Sequence, residues 1–208
     1  EHGAVRGYLV PPRTENDDTA YPILVLHALD EYGPDFTSVD LALEWVAHLP
    51  VAFTAEWAAL ENVKAGVLPP DSRWERNPCG AWVGGQMRTE IHGLLTPGRP
   101  ERAGELAFRD AAISHYREGM EGAVFAAVLM SLAFDASKAE PLLLDALRFV
   151  PEGGAFAATV EAAIDACHRH GDAMRVMDAL APAIDRHHWI HTLPNIACVV
   201  TGLVLGES

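Results

Sequence analysis

The chain has 208 residues, 50% hydrophobic and 21% charged, and its 29 acidic against 15 basic side chains give a formal charge of -14. These figures describe a soluble globular protein with enough apolar material for a real core. They argue against binding a nucleic-acid backbone or an anionic membrane, because the net field repels phosphates and no basic stripe opposes it.

Taken in chain order, a Pro- and Gly-containing stretch from Glu1 to Thr14 comes before the first helical pattern. Ala20, Ile23, Leu24, His27 and Ala28 fall on one face, with Asn16 placed to cap the helix and Gly33-Pro34 to end it. A second helix is capped by Thr37 or Ser38, carries Leu41, Ala42, Trp45, Val46 and Leu49 as its stripe, and stops at Pro50. A third runs from about Thr54 to Lys64. Between Val67 and Gly98 prolines and glycines alternate, which predicts one long irregular segment of the kind that is usually functional or disordered. Helical periodicity then returns over about 100 to 118, 120 to 135, 138 to 149, 154 to 170, 172 to 186 and 191 to 205. No run alternates at period two, so the fold expected is all-α, and no linker or repeat divides residues 1 to 208 into more than one domain.

Cys79, Cys167 and Cys198 are odd in number, far apart and form no CxxC pair. Neither a disulfide framework nor a thiolate zinc site is supported, and a reducing, cytoplasmic setting fits them better. No signal peptide is visible, and the longest apolar run, Ile196 to Leu205, is about half of the roughly 20 residues a bilayer-spanning helix needs.

Chemistry concentrates first at Glu15-Asn16-Asp17-Asp18-Thr19. Adjacent carboxylates about 4 Å apart repel by roughly 1 kcal/mol in water and about 4 kcal/mol at an effective dielectric of 20, and a cation would offset that. The donors are all hard oxygens, which favours Mg²⁺, Mn²⁺ or Ca²⁺ over zinc. The same residues also suit an ordinary helix start, where they satisfy free N–H groups and oppose the positive dipole end. A second segment, Gly84-Gly85-Gln86-Met87-Arg88, would let backbone approach a phosphate, with Arg88 pairing its charge; a plain turn is the other reading. His168-Arg169-His170 reads as a solvated helix end, and the histidines at 187, 188 and 191 match no metal-ligand spacing such as HExxH.

Four stretches in order carry a resemblance. They are Glu15 to Thr19 opening a helix, Asn77-Pro78 leading into Gly84 to Arg88, Arg109-Asp110-Ala111 running to Ser114-His115, and His188-Trp189-Ile190-His191-Thr192 running to Asn195. Together they resemble the ADP-ribosylglycohydrolase family over nearly the whole chain. The resemblance implies a compact orthogonal helical bundle holding two Mg²⁺ or Mn²⁺ ions, and hydrolysis of the bond joining ADP-ribose to a protein or other acceptor. By the same resemblance Asn16, Asp17 and Asp18 are metal ligands, with Asp17 and Asp18 carrying the catalysis. Gly84, Gly85, Gln86, Met87 and Arg88 match the diphosphate loop, and His115 matches a histidine lining the ligand cleft. Two neighbouring aspartates cannot flank a sugar at the roughly 5 to 9.5 Å of ordinary glycosidases, but they can hold a metal.

The family normally adds an acidic, glycine-rich helix before the Asn-Asp-Asp segment and a second Asp-rich metal motif after the position of Ser208; neither is in this chain. Cys79, Gly80 and Ala81 replace bulkier polar residues, and Glu121 replaces an aromatic, beside the expected cleft. Two other readings stay open: a biosynthetic enzyme using Mg²⁺ on another small-molecule diphosphate, such as an isoprenoid diphosphate, though Tyr21 stands where DDxxD needs its third Asp; and a catalytically silent ADP-ribose-binding module.

Overall fold

The structure is a computed structural model that describes residues 16 to 206. Glu15, the stretch before it and Ser208 lie outside the described residues. The architecture is all-α: α1 (Asp17–Tyr32), α2 (Ser38–His48), α3 (Thr54–Lys64), α4 (Gly84–Arg88), α5 (Glu90–Leu95), α6 (Pro100–Ala111), α7 (Glu118–Ala133), α8 (Ala139–Leu147), α9 (Ala155–His170), α10 (Ala173–Ile184) and α11 (Thr192–Gly206). Among the described residues there is no strand; Trp82 and His191 form an isolated antiparallel bridge. No helix among the described residues is long and apolar enough to cross a membrane.

The helices begin where their caps dictate. Asn16 Oδ1 accepts the Asp18 N–H at 3.0 Å, and Thr37 forms a reciprocal capping box with Asp40, so orphan N–H groups of α1 and α2 are satisfied. Gly33, at φ 79°, ends α1, and Gly171, at φ 62°, ends α9 in the left-handed conformation that glycine adopts most readily.

Two expectations need correction. The segment from 67 to 98 is not one irregular loop: it holds a 3-10 turn at Asp71–Arg73 and the helices α4 and α5. Each of those helices is under two turns long, too short for an apolar period to emerge. The turn before them is fixed by side chains rather than by a core stripe. Asn62 donates to the carbonyls of Ser72 and Glu75, and Asn77 donates to those of Arg73 and Ser114. The helix expected to run to 118 stops at Ala111. Ser114 and His115 turn fully inward and Arg117 takes φ 49°, which no helix tolerates. On the predicted stripes, Ile23, His27 and Val46 are in fact exposed.

The long helix α7 is the spine. It packs against α4, α5 and α6 on one side and against α8, α9 and α11 on the other. Phe125 and Phe156 meet edge-on at 5.3 Å in one buried cluster, which Val128, Leu143, Val160 and Ile196 complete. Tyr21, Trp45, Leu41 and Leu60 form a second cluster between α1, α2 and α3. Each fully buried large side chain contributes about 1.5–3 kcal/mol.

Close approach of α5 to α7 requires a glycine, because a Cβ on Gly93 would lie 2.2 Å from the Ala127 carbonyl oxygen. Gly93→Ala is expected to destabilise the fold by about 1–3 kcal/mol. Gly202→Ala in α11, where a Cβ meets nothing within 4 Å, is expected to stabilise it by about 0.5–1 kcal/mol. Urea unfolding of the two variants checks both signs.

Candidate functional site

The interior between α1, α3, α4 and α6 is ionic. Arg88 has no exposed surface; its Nε donates to Asp110 Oδ1 and its Nη1 to Glu56 Oε1, both at 2.8 Å. Its Nη2 donates to Ser114 Oγ at 3.0 Å and to the Asp110 carbonyl at 3.2 Å. The guanidinium also lies over the rings of Trp45 and Tyr21, at 4.8 and 5.4 Å. His92 Nε2 sits 2.9 Å from the second oxygen of Asp110.

This arrangement sets the protonation states. Burial pushes the Asp110 carboxyl up, but Arg88 and His92 outweigh it and hold the group below the usual carboxylate range. Glu56 is raised, because burial outweighs the same guanidinium and Asp17 adds a like charge. Burial and then Arg88 push His115 well below the ordinary imidazole value, so it is neutral. Its Nε2 accepts the Gly85 N–H at 3.0 Å, which places the proton on Nδ1, 2.8 Å from Ser114 Oγ.

The glycines of α4 serve this packing. A Cβ on Gly84 would lie 2.0 Å from Glu56 Oε1, and one on Gly85 would lie 2.9 Å from the Gly119 carbonyl and 3.1 Å from the His115 ring. Thr89 then ties α4 to α7, donating to the carbonyls of Gly85 and Ala123. The loop at 187 to 191 closes the neighbouring side. Trp82 stacks on His188 at 4.7 Å, Val83 N–H bonds to the Ile190 carbonyl, and Thr192 N–H bonds to the Ala81 carbonyl.

Beside this core a groove of about 600 Å³ opens, with Asp18, Gln86, Met87 and Glu90 among its polar and flexible walls and Leu129 and Val199 among its apolar ones. Asp18 also lines a second opening with Thr19 and Glu90. The two aspartates at the start of α1 therefore face different ways. Asp18 is exposed to the groove; Asp17 is half-buried, and its charge acts on Tyr21 and Glu56. Burial, and then Asp18, raise the Asp17 carboxyl. Among the described residues no lysine or arginine pairs with either aspartate.

The sequence-predicted residues therefore divide. Asn16 is the cap of α1, and Asp17 and Asp18 open that helix within one turn of it. Gln86 and Met87 share the groove with Asp18. Arg88 and His115, expected at the ligand, are enclosed, and the donors and acceptors described above are committed to protein partners. The Gly85 N–H, expected to face a phosphate, is likewise taken by His115. Glu56 and Glu90 were not singled out from sequence. Glu56 carried a legible signal: it precedes Ala59, Leu60 and Val63 at helical spacing, so a carboxylate occupies an apolar stripe. Glu90 carried none.

Two buried polar atoms near the groove lack partners, Gln86 Oε1 and Thr192 Oγ1. They flank Gly122, where a Cβ would lie 2.6 Å from Thr192 Cγ2 and 3.1 Å from Gln86 Oε1. The family model described as ADP-ribosylglycohydrolase matches residues 1–207. The comparisons with curated proteins and with solved structures gave no match.

Replacing Arg88 with methionine leaves Glu56 and Asp110 buried without their cation, and is expected to cost about 3–5 kcal/mol. Arg88→Lys should not restore the loss, since an ammonium cannot span both carboxylates and Ser114 in one plane; denaturant unfolding checks both. His115 also predicts a pH dependence. With its folded pKa depressed, the unfolded chain binds the extra proton first, so the stabilisation is full above about pH 6.5 and is lost as pH falls toward the folded value. The slope approaches about 1.4 kcal/mol per pH unit and should flatten in His115→Gln.

Proposed function

The chain belongs to the ADP-ribosylglycohydrolase family, and from that premise we propose that it is a divalent-metal-dependent hydrolase cleaving the glycosidic bond between ADP-ribose and a protein or other acceptor. The observation that carries this reading is the position of Asp18, which shares one groove with Gln86 and Met87.

The donors fit a hard cation. Asn16, Asp17 and Asp18 offer an amide and two carboxylates, Asp17 already bears the penalty of partial burial beside a like charge, and no basic side chain among the described residues relieves it. Mg²⁺ or Mn²⁺ there would neutralise that pair and promote ionisation of water at neutral pH. The second ion of a two-ion centre would draw on ligands besides these three.

The chain's own residues do the rest. Asp18, facing the groove, accepts the proton of the attacking water as its oxygen bonds to the anomeric carbon. The bond to the acceptor breaks, and the acceptor leaves with the proton that Asp18 took from the water. Gln86 lines the groove beside Asp18, and its amide oxygen, buried with no protein partner, is free to turn outward and accept from a hydroxyl of the sugar. Met87, Leu129 and Val199 give an apolar wall that excludes water and can carry the face of a purine. Gly84, Gly85 and Arg88 act one layer behind: Arg88 fixes α4, and the glycines let α4 sit close to Glu56 and His115, so that Gln86 and Met87 reach the groove. His115 holds the Gly85 amide and thereby the first turn of α4. The partner class is an ADP-ribosylated protein or a small-molecule diphosphate, and the setting is cytoplasmic.

The test is release of ADP-ribose from arginine-linked, serine-linked and nucleic-acid-linked substrates with Mg²⁺, with Mn²⁺ and with chelator. Release from at least one, abolished by chelator and lowered about 10²- to 10⁴-fold by Asp18→Asn, is expected. Absence of release from all three with either ion overturns the proposal. Added Mn²⁺ should also raise the melting temperature, and Asp17→Asn should remove that increment.

A further inference from the structure

Further along α1, beyond Ile23, three side chains converge that the hydrolytic reading does not use. Glu44 and His48 stand one turn apart on α2, and His27 faces them from α1. One donor atom from each lies within 4.8 Å of the other two. His27 Nδ1 is 2.7 Å and His48 Nε2 3.6 Å from the same carboxylate oxygen, Glu44 Oε2.

Glu44 gives the cluster its meaning. The residue is only 5% exposed, yet Oε2, close as it is to two imidazole nitrogens, accepts no hydrogen bond. The other oxygen, Oε1, accepts the Tyr32 hydroxyl at 3.1 Å. A buried carboxylate is thus oriented by one outer hydrogen bond while its free oxygen faces two imidazole nitrogens and, among the described residues, no lysine or arginine. Hydrogen bonding on the far oxygen and an empty near one is how carboxylate ligands of metal ions are commonly supported.

We propose that His27, Glu44 and His48 form a transition-metal site of the class that takes Zn²⁺, stapling α1 to α2. Two imidazoles and a carboxylate suit zinc rather than magnesium. Donors on a tetrahedral ion with bonds of about 2.0–2.2 Å lie about 3.3–3.6 Å apart. The Glu44–His48 separation already fits. His27 must withdraw by about 0.6–0.9 Å to reach that spacing, which its half-exposed side chain permits. A groove of about 370 Å³, lined by Ile23, Leu24 and Pro50 with both histidines, leaves the fourth position open to water. The site is separate from the Asn16, Asp17 and Asp18 donors: those are hard oxygens at the start of α1, whereas His27 lies in the second half of that helix and adds an imidazole.

Zinc calorimetry and the visible spectrum of added Co²⁺ on the intact protein test this. The expected result is one tight equivalent that Asp17→Asn retains and His48→Ala loses, with four-coordinate Co²⁺ bands disappearing in the same variant. Tyr32→Phe, which touches no metal-binding atom, should weaken binding about 10- to 100-fold. Circular dichroism of His48→Ala, a half-exposed position, verifies that the fold persists. No tight equivalent, or an equivalent unchanged by both His48→Ala and His27→Ala, overturns the proposal. Binding that moves instead with His187, His188 and His191 also overturns it.

Discussion

A guanidinium with no access to water governs this molecule. Burying an arginine costs several kcal/mol unless its donors are met and its charge is opposed, and Arg88 places four of its five N–H groups on Glu56, Asp110 and Ser114, with two carboxylates facing its charge. Those partners come from α3, α6 and the turn after α6, so satisfying one side chain fixes three segments against α4. Tyr21 and Trp45 cover the cation from α1 and α2. The relative placement of the first six helices is thus written largely around a single charged group.

The groove inherits its shape from that arrangement. Because Arg88 points inward, Gln86 and Met87, two residues and one residue before it, are turned outward toward Asp18. Because Gly84 and Gly85 have no side chains, α4 can lie against Glu56 and His115 without pushing those residues apart. Asp17 couples the two regions electrostatically: it belongs to the helix start that opens on the groove, and its charge is felt by Glu56 in the interior. A cation drawn to the aspartates would therefore change the field inside the core as well as in the groove, so stability and ligand binding are linked at this end of α1.

Much of the fold was legible. Caps at Asn16 and Thr37 and the stop at Gly33 located α1 and α2 because they act through local hydrogen bonds and a local φ requirement. What escaped had non-local causes. The turn before α4 is held by Asn62 and Asn77, α4 is tied to α7 by Thr89 reaching the Ala123 carbonyl, and the early end of α6 follows from Ser114 and His115 being drawn to Arg88. The site divided on the same line. Asn16, Asp17 and Asp18 stood out through composition at a helix start. Whether the glycine segment meets a ligand directly or through the packing behind it depends on which way Arg88 turns, and no pattern in a five-residue helix encodes that. Glu56 was visible as a carboxylate on an apolar stripe, a polar residue where burial demands a partner. Its partner, thirty-two positions on, was not.

For the aspartates of α1 to hold a catalytic ion, the start of α1 and the middle of α4 must share one ion-responsive groove. Paramagnetic broadening of backbone amide signals on titration with Mn²⁺ addresses that without any substrate. Broadening that begins at residues 16 to 19 and reaches Gln86, Met87 and Glu90 next is the predicted outcome. Signals at residues 16 to 19 that stay sharp while other regions broaden would contradict it, and the opening of α1 would then be a helix cap and nothing more.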